Sequence, residues 1–170
     1  MSAYNPIEIL DRAIEREKGG HEFYLKASEK TQDGKGRQMF QWLAQEEMRH
    51  FSQLSRQRQS LMEEKKWQPA PPPVAPVDKG SFPPVAEAAG EVQASTGEIE
   101  ALSLAIEAET RSIALYSQGA QEATDPEARK MFSSLTAEEQ GHQDLLEAER
   151  EFLRRAKTYF TLHRFELPHR

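Results

Sequence analysis

The sequence predicts an all-α protein, a four-helix bundle made of two duplicated helical hairpins joined by a long Pro-rich crossover. Three observations carry that expectation. Apolar residues recur in steps of three and four through four separate stretches. A segment dense in proline divides those stretches two and two. The second half also repeats the first in register, at the constant separation that takes residue 17 to residue 109. The 170-residue length is one domain's worth and is enough to bury a real core.

The first helix is expected to start near Pro6. In "NPIE", Asn5 suits the cap, Pro6 the first helical position and Glu8 the capping box. Ile7, Leu10 and Ile14 begin its apolar seam, which continues to Tyr24 before "TQDGKG" breaks the pattern. A second helix follows with Phe40, Leu43 and Leu54 on one seam and is expected to run to roughly Lys66. Ser95 and Glu98 stand at capping-box spacing and open a third helix through Ile99, Leu102, Ile106, Ile113 and Tyr116. Asp125 as cap and Pro126 at the first position open the fourth.

Between the second and third helices lies "WQPAPPPVAPVDKGSFPPVAEAAG", whose prolines exclude both helix and central strand. A linker between two independent domains is disfavoured, because a lone hairpin has too little core to stand alone. A polyproline-type segment advances about 3.1 Å per residue, so about a dozen residues cross a bundle roughly 37 Å long. The chain is therefore expected to form one domain over 1–170: hairpin 6–66, crossover 67–95, hairpin 96–158 and tail 159–170. Two hairpins with one long crossover make the ferritin-like variant of the four-helix bundle. The tail, "TYFTLHRFELPHR", is rich in aromatics and is expected to pack on the bundle or on a partner subunit, with a docking peptide as the alternative. A homodimer or larger homo-oligomer is expected, and so long a crossover leaves exchange of hairpins between chains open.

The composition excludes several classes. Without cysteine there are no disulfides, iron–sulfur clusters or Cys-ligated iron, so any metal must be held by carboxylate and imidazole. No stretch approaches the roughly 18 apolar residues of a membrane span, and the cytoplasm is the default location. A net charge of −6 with no basic cluster gives nucleic acid little to grip.

The duplication extends to polar residues that sit where core residues belong. On the second helix the seam reads Phe40, Leu43, Glu47, His50, Leu54, and on the fourth Phe132, Leu135, Glu139, His142, Leu146. Glu17 interrupts the first seam and Glu109 the third. Burying four ionised carboxylates together is prohibitive unless something neutralises them. Two divalent cations balance their charge with both histidines neutral, and Glu and His three residues apart project from one helical face. A lone Glu-x-x-His is usually a solvated pair; two copies on apolar seams, each preceded by a seam Glu, point to metal ligands instead. Glu46 and Glu138 lie off the seam and read as surface groups or as groups backing the ligands, while Glu15 and Glu107 read as solvated. Tyr24 and Tyr116 are either core aromatics or hydrogen-bond donors to a metal-bound carboxylate, and so candidates for a catalytic role. His21, on the seam where the second half has Ile113, is an extra ligand, a proton relay or a partly exposed residue. Gly19 and Gly20 either permit close approach at the site or are merely tolerated.

"AIEREKGGHEFY", with "LAQEEMRH" and "LTAEEQGH", resembles the rubrerythrin-like branch of the ferritin-like superfamily over both hairpins. The resemblance implies that Glu17 and His50 hold one iron, Glu109 and His142 the other, and that Glu47 and Glu139 bridge them. It implies a di-iron oxidoreductase acting on O2 or H2O2 in oxidative stress, as ferroxidase or peroxidase, with two Fe ions and with Mn or mixed Fe/Mn as alternatives. Two departures qualify it. The family's rubredoxin domain needs cysteines that this chain lacks, so peroxide reduction calls for an external electron donor; and Ser112 stands where the family carries a further Glu. The symmetric ligand set resembles that of bacterioferritins and shifts weight toward iron oxidation. Iron storage or carriage, and a helical interaction module with structural metals, are the alternatives.

Overall fold

The computed structural model describes residues 5–72, 74 and 96–163. Four helices account for almost all of them: α1 (Pro6–Lys30), α2 (Gly34–Glu63), α3 (Thr96–Glu122) and α4 (Pro126–His163). No strand occurs among the described residues, and among them no helix is long and apolar enough to cross a membrane.

The helix starts are set locally. Asn5 accepts from the amides of Ile7 and Glu8 ahead of Pro6, which satisfies donors that the first turn leaves without partners. Asp33 caps α2 through the Gly36 amide at 2.6 Å, and Asp125 caps α4 through the amides of Glu127 and Ala128. The repeat extends into the turns. Arg37 donates to the Thr31 carbonyl at 3.2 Å, and its counterpart Arg129 donates to the Ala123 carbonyl at 2.9 Å.

The second helix ends at Glu63, not near Lys66. Lys65 takes a left-handed φ of 59°, which helix cannot accommodate, and the chain folds back. Gln57 exchanges two hydrogen bonds with the backbone of Gln68, and Trp67 packs edge-on against Phe132. The Ala70 amide then donates to Glu127 on α4 at 2.7 Å. The crossover therefore begins by docking on the second hairpin. Its remainder, with Ser95, lies outside the described residues, as do residues 164–170. The fourth helix continues to His163, so the aromatic tail expected from residue 159 begins as helix.

Packing is closest within each hairpin, α1 against α2 and α3 against α4, and α1 against α3 joins the two. The core has two apolar clusters. One gathers Tyr24, Phe40, Leu43, Leu102, Ile106 and Leu146; the other gathers Leu10, Leu54, Tyr116, Phe132 and Leu135. Each is centred on the same stacked pair, Tyr24 on Phe40 and Tyr116 on Phe132, with centroids 6.1 and 6.3 Å apart. Along every helix the two clusters lie on opposite sides of the polar seam residues. Glu17, Glu47, His50, Glu109, Glu139 and His142 therefore occupy the middle of the bundle.

Candidate metal centre

All six seam residues are buried, none more than 5 % exposed. One Glu comes from α1 and one from α3, and a Glu-His pair comes from each of α2 and α4, where three-residue spacing keeps both side chains on one face. His50 Nδ1 lies 3.0 Å from Glu139 Oε1 and 3.4 Å from Glu17 Oε2. His142 Nδ1 lies 3.1 Å from Glu139 Oε2 and 3.8 Å from Glu47 Oε1. The imidazoles face each other with centroids 5.7 Å apart and planes 23° from parallel.

Two overlapping groups of ligand atoms result. One atom each from Glu17, Glu47, His50 and Glu139 lie within 4.8 Å of one another, and so do atoms from Glu47, Glu109, Glu139 and His142. Glu47 and Glu139 belong to both. Glu17 Oε2, Glu47 Oε1, His50 Nδ1 and Glu139 Oε1 are buried without a hydrogen-bond partner. Buried polar atoms are seldom left so, and four of them aimed into one space fit cations as the missing partners.

The electrostatics agree. Burial, and then the charges of Glu17, Glu139 and Glu109, push Glu47 well above the usual carboxylate range. Burial and then Glu139 do the same to Glu109. Burial also works to raise Glu139, but His50 and His142 outweigh it and hold that carboxyl well below its ordinary value. Burial opposes charge on His50, yet the carboxylates close around it, Glu139 first and then Glu138 and Glu17, raise it well above the imidazole range. Without cations, then, the cluster retains protons that a metal would displace.

The two tyrosines donate to the carboxylates crosswise. Tyr24 of α1 donates to Glu109 Oε1 of α3, and Tyr116 of α3 donates to Glu17 Oε1 of α1. Burial and then the nearby carboxylates raise both phenols well above their usual range, so they stay protonated as donors. Their rings also belong to the apolar clusters, so each is a core aromatic and at the same time a donor to a buried carboxylate.

His21 is half-buried and lies outside both groups; its Nδ1 donates to the Ala44 carbonyl at 2.7 Å and ties α1 to α2. Gly20 meets the site closely, since a Cβ there would lie 2.4 Å from Glu47 Oε2, whereas Gly19 faces open space. Glu15 and Glu107 are exposed. Glu46 and Glu138 are largely covered, with Arg49 between them.

Three residues were not singled out from sequence. Arg49 donates to Glu46 at 2.6 Å and to Glu138. Arg16 reaches across from α1 to the Ala108 carbonyl at 2.7 Å and to Ser112 Oγ at 3.1 Å. Trp42 packs edge-on against His142 with centroids 5.4 Å apart. The available signal was a break in the repeat, because the counterparts of Arg49, Arg16 and Trp42 are Gly141, Ala108 and Ser134.

Comparison with known proteins gives one family and one solved structure. The family described as rubrerythrin matches residues 8–150. A hypothetical protein from Pyrococcus furiosus is 27% identical with a TM-score of 0.68, over 89% of this chain and 92% of that one. No curated protein gives a significant match.

Proposed function

The chain belongs to the rubrerythrin family, and from that premise we propose that it is a non-haem di-iron oxidoreductase. It oxidises Fe(II), reduces H2O2 or O2, or couples the two. The observation that carries this reading is the overlap of the two ligand groups through Glu47 and Glu139. On this reading Glu47 and Glu139 would serve both ions, with Glu17 and His50 completing one position and Glu109 and His142 the other.

Two ferrous ions held there would supply the two electrons that, with two protons, take H2O2 to two waters. The chain's residues set the conditions. The apolar clusters on both sides keep bulk water from the cluster. Tyr24 and Tyr116 hold protons against Glu109 Oε1 and Glu17 Oε1, fixing which oxygen of each carboxylate faces the centre. As this chain has no cysteine to hold a separate electron-donating iron, a peroxidase cycle draws its electrons from an external donor. A ferroxidase cycle draws them from Fe(II) as substrate.

Anaerobic Fe(II) titration of the metal-free protein, followed by oxidation and an iron count, tests the reading. Two irons retained per chain is the expected result. Retention of many would replace the oxidoreductase with storage in a larger assembly, and retention of none would remove the metal centre.

A further inference from the structure

We propose that the two ion positions are unequal, and that Glu138, clamped by Arg49, makes the Glu17/His50 position the one that fills first. The inference rests on the reading of the cluster as a dinuclear metal centre and adds an order to it.

The inequality begins on the far side of each imidazole. Glu138 reaches from α4 to His50 Nε2 at 3.1 Å. Its Oε2 also accepts from Arg49, and its Oε1 accepts from Ser134 Oγ at 3.1 Å. Arg49 Nη2 and His50 Nε2 lie 3.1 Å apart because both approach that one oxygen. A carboxylate held this way keeps the proton on Nε2, turns Nδ1 toward Glu17 and Glu139, and strengthens the imidazole as a donor.

The repeat places Glu46 where it would serve His142 in the same way, but Glu46 is drawn to Arg49 instead. No described residue hydrogen-bonds Nε2 of His142, and the ring is met by the edge of Trp42. Among the described residues its one hydrogen bond joins Nδ1 to Glu139 Oε2 at 3.1 Å. That is the bond an entering ion must replace. At His50 the anchoring bond survives ion binding; at His142 it does not. Glu46, His50 and Glu138 also lie close enough to suggest a third cation position, but the Arg49 guanidinium already occupies it.

Co(II) titrated into the metal-free full chain, followed by calorimetry and visible absorption, reads the order. Wild type is expected to bind in two steps of one equivalent. Glu138→Gln should weaken the first step 10- to 100-fold, as loss of a group backing a metal-bound His typically does, and leave the second unchanged. Arg49→Gln should weaken it in the same direction by less, and Glu46→Ala should leave both steps intact. His142→Ala should retain the tight step and His50→Ala should lose it. Circular dichroism on each variant separates lost helix from lost affinity. A single wild-type step of two equivalents, or a first step untouched in Glu138→Gln, overturns the proposal while leaving the metal centre standing. Failure of wild type to bind any Co(II) overturns the centre itself.

Discussion

Gly20 sets how near α1 comes to the Glu47 carboxylate, and its neighbour Gly19 supplies a control one residue away. Alanine at a helix interior is favoured over glycine by about 1 kcal/mol, so both substitutions should help the helix. Only one should harm the site. At Gly20 the new methyl would sit 2.4 Å from Glu47 Oε2 and force that carboxylate aside; at Gly19 nothing lies within 4 Å. Gly19→Ala is expected to raise unfolding stability by up to about 1 kcal/mol with metal affinity unchanged. Gly20→Ala is expected to lower metal affinity by about tenfold or more. Denaturant unfolding beside Fe(II) binding checks the pair, and equal affinities would show that Glu47 does not need its present place. In the sequence the three-residue step from Glu17 puts Gly20 on the seam face and Gly19 off it, but only the packing of α1 on α2 brings Glu47 against Gly20. The six seam residues were legible because each breaks an apolar pattern and breaks it twice. Arg49 was not, because an arginine beside a seam histidine looks like any solvated residue until Glu138 is brought to it from another helix.

At the scale of the element, the repeated Tyr–Phe stacks hold each end of the bundle, yet they are not equally loaded. Phe132 is fully buried, lies against Trp67, and leaves no room for a Cβ at Gly119, which would come within 3.0 Å of its ring. Truncating such a residue leaves a cavity, so Phe132→Ala should cost about 3–5 kcal/mol. It should also release the start of the crossover, seen as faster exchange of the Gln68 and Ala70 amides. Phe40→Ala should cost a similar amount and leave that exchange unchanged. Slow exchange at Gln68 and Ala70 in Phe132→Ala would mean that Gln57 and Glu127 hold the segment without the ring. The same contrast explains what could be read in advance. Helix starts at Asn5 and Asp125 are governed by side chains within three residues, and they were legible. The end of α2 was not, because Lys65 turns left-handed only when the chain beyond it can dock on α4.

For the whole molecule, the cluster ties stability to both pH and metal. In the metal-free fold, Glu47, Glu109 and His50 bind protons more tightly than they do in the unfolded chain. Each contributes stability that is complete below its unfolded pKa and disappears as pH rises through the raised folded value. Glu139 works in the opposite sense: its depressed pKa contributes stability above the ordinary carboxylate range, lost only in strong acid. From mildly acidic to mildly alkaline pH the raised groups dominate, so the metal-free protein should lose stability. Metal reverses the requirement, because an occupied cluster needs its carboxylates deprotonated and ion binding releases their protons. The difference in Tm between loaded and metal-free protein should therefore widen as pH rises from about 5 to about 8. Melts of both forms across that range, at fixed metal excess, provide the check. A gap that stays constant would mean that the buried carboxylates carry the same protons with and without the ions, and the charge balance between four carboxylates and two cations would not hold.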